Sequence, residues 1–402
     1  MKGPLDGICV LEIANYIAVP AAASLLAELG ADVVKVEVPW GEVYRHATPR
    51  RNGYENDFPI CLPFEMDNRG KRSLALDLAL PQSQEVLAKL IDRSDIVMTN
   101  VLPGRLAKFG LDAETLRAER PQLILARMGG FSADGPQADA PGFDQTAFFA
   151  LSGLMDQQRD PDSPPAFPRG GAGDHPAALA VVSGVLAALR MRDQTGEGQI
   201  VDVNLQQVGL YVNGNDTSQS VVTGEVPPRH DRHAPRNPLW NFYQCSDDRW
   251  IFLVMLDSNA YWPRLVEAIE RPDLGADERF SDAVGRFKNS RDLVSALDEV
   301  FATRTLAEWT AHFESQRVIA APIRTVAEAT GDPMARQNGC FVEVDHPEHG
   351  RFECVAPPFQ LSGFRLTGTE PAPMLSQHTE EVLREAGIGE ETIALMVAVA
   401  ST

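Results

Sequence analysis

The first half of the chain alternates short β-rich runs with amphipathic helical stretches, and this rhythm restricts its fold more than any other feature. Ile8–Ile13 reads as a buried strand, Pro20–Leu29 as a helix stopped by Gly30, and Asp32–Glu37 as a second strand. Ser73–Leu78, Asp95–Asn100 and Gln122–Met128 continue the strands, with helices near Pro81–Asp92 and Asp112–Glu119 between them. Strands joined through helices need crossover connections, so the pattern predicts a parallel, doubly wound α/β sheet. The apolar periodicity of Asp174–Arg192 predicts a helix of about five turns. Gly196-Glu197-Gly198-Gln199 then turns the chain into a strand at Ile200–Val203, followed by a helix near Leu205–Asn215.

Gly224–Pro238 is rich in proline and arginine without periodicity, which reads as an exposed connector and a domain boundary. Beyond it, Trp240–Cys245 and Trp250–Met255 flank Ser246-Asp247-Asp248-Arg249 as a hairpin. Helices near Asn259–Ile269, Arg291–Ala302 and Leu306–Gln316 complete a smaller α+β unit. Short strands at Phe341–Val344 and Phe352–Val355 precede two helices starting near Thr379 and Glu390. The expected division is a large domain over 1–223, a small α+β domain over 224–325, and a last segment over 326–402.

A net charge of -20 argues against a nucleic-acid or anionic membrane partner, since both need a basic surface. The five cysteines have no CxxC pair, so neither a disulfide framework nor a zinc site is expected, and a reducing cytoplasm is the simplest compartment. The first residues show no charged-then-apolar leader, and no run of 18 apolar residues occurs, so a soluble protein is expected. The eight histidines are scattered; His230-Asp231-Arg232-His233 lies in the irregular linker without complementary carboxylates, so no metal is implied. No G-x-G-x-x-G follows the first strand, which argues against a nicotinamide enzyme.

The stretch with most chemical content is Gly170-Gly171-Ala172-Gly173-Asp174-His175-Pro176. Glycine permits positive φ and close backbone approach, and proline in the first helical turn lacks only an N–H that needs no partner there. Asp174 is therefore expected at a helix mouth, where the dipole favours an ionised carboxylate by about 0.3–1 kcal/mol. Two readings stand at this point, a helix cap and a nucleophile.

Separated blocks point one way. Pro4-Leu5-Asp6-Gly7-Ile8, Leu29–Glu37 and Asn68-Arg69-Gly70-Lys71-Arg72-Ser73 resemble the class III CoA-transferase family, which includes formyl-CoA and carnitine CoA-transferases and has α-methylacyl-CoA racemase as a relative. Pro141-Gly142-Phe143-Asp144 with Ser152-Gly153, Gly173-Asp174, Thr195–Gln199, Pro357-Pro358-Phe359 with Ser362-Gly363-Phe364, and His378-Thr379 agree in order and spacing. The resemblance implies a Rossmann-like large domain built from both chain ends, a small α+β middle domain, and an interlocked homodimer. It also implies coenzyme A, carried as acyl-CoA, and a small carboxylic acid as substrates.

In such transferases the aspartate matching Asp174 attacks the acyl-CoA thioester, giving a mixed anhydride and then an aspartyl-CoA thioester. An ordinary aspartate is ionised at neutral pH and needs no separate base. The flanking glycines are expected to offer backbone N–H groups to the oxyanion. The family analogy places Asn15-Tyr16-Ile17-Ala18 at the CoA-contacting turn and Asn100-Val101-Leu102 along the CoA cleft, with Phe143 beside it. Lys108, most directly, and Lys71 and Arg72 are expected near the phosphates, with Arg45, Arg69 and Arg105 as further cations. Val38 stands where formyl-CoA transferase carries an arginine.

His175-Pro176 departs from the glycines and small polar residues common after this aspartate in the family. Proline is expected to hold His175 extended and so to direct the loop. Phe143 replaces the histidine of the racemase motif and cannot transfer a proton, which disfavours two-base epimerisation and leaves Asp144 a structural or supporting acid. Trp240, Phe242 and Tyr243 are candidates for an apolar acyl pocket or for hairpin core. An acyl-CoA isomerase and a non-catalytic acyl-CoA binder remain the alternatives to a transferase.

Overall fold

The structure, a computed structural model, describes residues 3–55 and 58–400; the outermost positions of the expected domain ranges lie outside the described residues. It divides into two compact units. One holds the chain up to Met155, Phe167–Glu225 and the residues from Arg336 onward; the other holds Asp156–Ala166 and Val226–Ala335. Asp156–Ala166 thus joins the second unit, although nothing in its sequence announces this, and the later boundary falls at 335/336 instead of the expected 325/326.

The first unit is built on β1 (Cys9–Ile13), α1 (Ala18–Glu28), β2 (Asp32–Glu37), α2 (Leu62–Asn68), β3 (Arg72–Ala75), α3 (Pro81–Asp92), β4 (Ile96–Thr99), α4 (Ala113–Glu119), β5 (Ile124–Gly129), α5 (Asp174–Thr195) and β6 (Ile200–Asn204). The six strands run in the order β3-β2-β1-β4-β5-β6, and every neighbouring pair is parallel. Alternate residues of each strand enter opposite cores. Val10, Val33, Ile96, Met98, Ile124 and Ala126 face α1 and α5, while Leu11, Val34, Val36, Val97 and Leu125 face α3 and the C-terminal helices. A sheet covered on both faces explains why its strands read as nearly continuous apolar runs.

The order reverses between β1 and β4. In an open parallel sheet this switch point leaves a crevice beyond the carboxyl ends of the strands, the usual place for a ligand. Asn15 and Asn100 sit at those two ends and join them: Asn15 N–H donates to Asn100 Oδ1 at 3.1 Å, and Asn100 Nδ2 donates to the Asn15 carbonyl at 2.6 Å.

Where one helix was expected near Leu205–Asn215, the chain forms α6 (Leu205–Val212) and α7 (Gly214–Thr223). In the second unit β7 (Trp240–Gln244) and β8 (Trp250–Val254) form the antiparallel hairpin, with α8 (Ser258–Ala268), α9 (Ser290–Phe301) and α10 (Leu306–Gln316). An unforeseen edge strand, β9 (Ala320–Pro322), pairs with β8; three residues ending in proline carry no legible alternation, and proline is tolerated at an edge. Tyr243 is wholly buried with its hydroxyl donating to the Pro238 carbonyl at 2.6 Å, and it stacks on Phe301. It belongs to the core, whereas Trp240 and Phe242 line a cavity of about 540 Å³ within this unit.

β10 (Phe341–His346) and β11 (Gly350–Val355) pair in the first unit, followed by α11 (Thr379–Glu385) and α12 (Glu390–Ala400). The returning segment covers the edge of the large sheet: Ser73 N–H meets His378 Nδ1 and Ala75 N–H meets Thr379 Oγ1, each at 3.1 Å. Side chains thereby satisfy a strand edge that would otherwise invite another chain.

Candidate active site

Asp174 is the first residue of α5, and Gly173 is its N-cap. Among the described residues the Asp174 carboxylate has no hydrogen-bond partner; only burial and neighbouring charges act on it. A cap role is thus excluded: a capping carboxylate would accept an N–H from the first turn.

The turn before it is held by Asp144, which begins a π-helical segment, Asp144–Ala150. Buried Asp144 accepts Gly171 N–H at 2.9 Å and Gly173 N–H at 3.2 Å on Oδ2, and Gln145 N–H at 2.7 Å on Oδ1. The glycines are required for two different reasons. Gly171 lies at φ +86°, and a Cβ on Gly173 would stand 2.7 Å from the Phe148 ring and 2.9 Å from Asp144 Cβ. The expectation that these glycines offer N–H groups to an oxyanion therefore fails for Gly171 and Gly173, whose donors are taken. Within 170–175, the backbone N–H groups without a partner among the described residues are those of Gly170 and Asp174.

His175 is helical, not extended as the following proline suggested. Its N–H donates to the Gly171 carbonyl at 3.0 Å and its Nε2 lies 3.1 Å from Asp67 Oδ1, contacts that override the local preference before proline. Burial, then the nearby charge of Asp144, pushes the Asp174 carboxyl up to about 7; Asp67 adds to this and His175 opposes it. The hydrogen bond to Asp67, working against burial, raises the His175 imidazole, and burial raises Asp67.

The Asn15–Ala18 turn adjoins the glycine turn. Ile17 Cδ1 lies 3.3 Å from where a Cβ on Gly171 would be, and both Ile17 and Ala18 are buried. Tyr16 adopts φ +66°, a left-handed conformation uncommon for a bulky residue. Its N–H donates to Glu42 Oε2 at 2.7 Å, and its ring meets the half-exposed Phe143 edge-on at 5.6 Å. Asn100, Val101 and Leu102 line a cavity of about 80 Å³ beyond the carboxyl ends of β4, β5 and β6.

Behind the turn lies a chain of buried charges. Lys71 Nζ is 2.6 Å from Glu12 Oε2, Lys35 Nζ is 2.8 Å from both Glu12 Oε1 and Glu42 Oε1, and Glu42 in turn holds Tyr16. Burial works to lower Lys35, but Glu12, Glu42 and Glu37 outweigh it and leave the ammonium well above its ordinary range. Burial dominates at Lys71 and brings it down to about 8.

This corrects the expected phosphate contacts. Lys71 is buried, and its Nζ also donates to the Pro20 and Asp67 carbonyls and to Asn68 Oδ1. Arg72 is paired with Asp32, Glu381 and Glu385. Arg45 is bound to Glu37 and Arg69 to Glu28. Arg105 and Lys108 are exposed and have no ion pair among the described residues. The missed features, Glu12 within Leu11-Glu12-Ile13 and Lys35 within Val34-Lys35-Val36, had a legible signal: opposite charges inside two otherwise apolar strands.

No group of His, Cys, Asp and Glu among the described residues could hold a metal ion, and no described helix is long and apolar enough to cross a membrane.

The model of a protein family described as CoA-transferase family III matches residues 5–379. The chain is 31% identical over 391 residues to an (R)-2-hydroxy-4-methylpentanoate CoA-transferase of Clostridioides difficile, covering 97% of each chain. It is 34% identical over 408 residues to a succinyl-CoA:mesaconate CoA-transferase of Haloarcula hispanica, covering 97% of this chain and 98% of the other. Among solved structures, a CaiB/BaiF family protein from Brucella suis aligns with a TM-score of 0.84 at 29% identity, over 96% of this chain and 100% of that one.

Proposed function

The chain belongs to CoA-transferase family III, and from that premise we propose that it moves CoA from an acyl-CoA donor to a carboxylic acid through covalent intermediates on Asp174. An enzyme of this class takes CoA thioesters as substrates. The observation that carries the Asp174 reading is a partly buried carboxylate at a helix tip that caps nothing and lacks a partner among the described residues.

In this reading an Asp174 oxygen attacks the thioester carbonyl, and CoA leaves as thiolate, giving a mixed anhydride. The thiolate then attacks the aspartyl carbonyl; the donor acid leaves as carboxylate and an aspartyl-CoA thioester forms. The acceptor carboxylate displaces CoA from that thioester, and the thiolate attacks the acceptor's carbonyl in the new anhydride, releasing the product and ionised Asp174. A carboxyl raised to about 7 is roughly half ionised at neutral pH and more nucleophilic than an ordinary aspartate once ionised. Gly170 and Asp174 N–H are the candidate oxyanion donors.

Asn15, Tyr16, Ile17 and Ala18, with Asn100, Val101, Leu102 and Phe143, line the CoA cleft in this reading, and Lys108 with Arg105 meets the phosphates. A cytoplasmic, interlocked homodimer completes it, and such a dimer would survive dilution because linked rings cannot separate without opening. The relatives named above act on different acids, so the donor test is a panel of acetyl-, succinyl-, 2-hydroxyacyl- and arylacyl-CoA. Intact mass is measured with and without hydroxylamine for wild type and Asp174→Ala. A hydroxamate or CoA-derived mass at Asp174, absent in the variant, is expected. No adduct with any donor, together with α-proton exchange in D2O, would assign the chain to the racemase branch.

A further inference from the structure

Asp67, near the end of α2, is 1% exposed, yet only one of its two carboxylate oxygens has a partner. Oδ1 lies 3.1 Å from His175 Nε2, and Oδ2 is buried without a hydrogen bond. Such a half-satisfied carboxylate is costly in the interior. The imidazole it touches is itself held on several sides. His175 N–H is tied to the Gly171 carbonyl, which also favours the protonated ring, and the ring rests against Gly171, with Cε1 3.5 Å and Nδ1 3.7 Å from where a Cβ would stand. A ring whose Nε2 meets a buried carboxylate, with the Gly171 carbonyl also favouring the charged form, suits the imidazolium, which donates from both nitrogens.

Around Asp174 the other charges are mostly of one sign. Asp144 faces it from the π-helical segment and Asp67 from α2; Tyr44 approaches from the turn Val43–His46, while Lys71 and Arg69 act on Asp67. Ionising Asp174 adds a further negative charge to this group, and His175, when protonated, opposes the resulting repulsion.

We propose that Asp67 and His175 are a positioning pair for the Asp174 nucleophile: the α2 carboxylate holds a protonated imidazole at the glycine turn, and that fixed charge opposes protonation of Asp174 and so sets the pH range over which it attacks. The inference rests on the Asp174 reading above. Neither residue touches the reacting atoms in it; both act through the charge and direction of their neighbour.

The test is the pH dependence of Asp174 adduct formation in wild type, His175→Gln and Asp67→Asn, using the panel thioester that labels wild type fastest. Glutamine retains an N–H for Asp67 but carries no charge. Its acid limb is expected about one pH unit higher, hence about tenfold slower labelling on the acid side, with the alkaline plateau within about twofold of wild type. Asp67→Asn is expected to shift the limb in the same direction by less, because it also removes a negative charge near Asp174. A His175→Gln profile that superimposes on wild type, or a lowered plateau with an unmoved limb, overturns the pair. Should thermal unfolding show that His175→Gln is not folded, Asp67→Asn decides, and an unmoved limb there overturns it. An unmoved limb overturns the pair alone; a wild type without any adduct at Asp174 overturns nucleophile and pair together.

Discussion

Both units bury cations, and they do so in opposite ways. In the first, Lys35 and Lys71 lie among Glu12 and Glu42, charge against charge. In the second, Arg286, 1% exposed, donates to neutral oxygens: the Phe280 carbonyl at 2.7 Å, Ser258 Oγ at 3.0 Å and Asn259 Oδ1 at 2.6 Å, with its guanidinium 5.4 Å from the Trp262 ring centre. The Arg286 cage ends where it began, in the small-unit core. The ionic chain leads from strand interior to Glu42 and the strained Tyr16 turn, so its desolvation cost is tied to holding a site.

The largest expected effect separates chemistry from scaffold. Asp174→Ala should abolish CoA exchange without lowering the thermal transition, since its carboxylate has no hydrogen-bond partner to lose among the described residues; residual exchange near wild-type rate would remove Asp174 from the mechanism. Next, Lys35→Met should destabilise the first unit by about 3–5 kcal/mol, because it leaves Glu42 without an ion pair in the interior and Glu12 with Lys71 alone. Arg286→Met should destabilise the second by a smaller ~1–3 kcal/mol, because it strands neutral acceptors. Urea unfolding followed by hydrogen exchange in each unit measures both, and an inverted order would break the contrast.

A smaller effect has a defined pH signature. Asp174 binds its proton more tightly in the folded chain, at about 7, than an unfolded aspartate does. Between those two values the folded state holds more protons, so stability falls as pH rises through the window. Asp174→Asn should therefore raise stability by about 1–2 kcal/mol near pH 8 and hardly at all near pH 4, after allowance for partial exposure. A difference in Tm that stays flat across that range would contradict the burial argument. Smallest of all, Lys108→Ala should raise the acyl-CoA KM about three- to tenfold, more at low salt than at high. Arg72→Ala, which breaks existing ion pairs, should leave KM unchanged; equal effects would erase the distinction between free and paired cations.

Much of the sheet was legible because burial on both faces writes itself as continuous apolar runs. Asp32–Glu37 and Pro81–Asp92 lie where the pattern predicts them, and Asp174 does begin the long helix. β3 is shorter than Ser73–Leu78 suggested, and β9 and Asp156–Ala166 carry no periodicity that would place them. At the site, the glycine turn and its aspartate were legible, since glycine and proline constrain backbone locally. The roles of Lys71, Arg72 and His175 were not, because each depends on partners far away in sequence; Asp144 was legible as a structural acid, but not the glycine turn that it holds.

The sequence alone therefore determined the alternation of elements, the parallel sheet and the presented carboxylate, all consequences of local periodicity and backbone freedom. Tertiary structure alone decided which charges are free. A lysine's side chain reads the same whether it meets solvent or a glutamate; only the folding of Glu12, Lys35 and Lys71 into one dry space made them a support for the Tyr16 turn. Likewise only the approach of α2 to the glycine turn set Asp67 against His175, across a sequence separation no local rule spans.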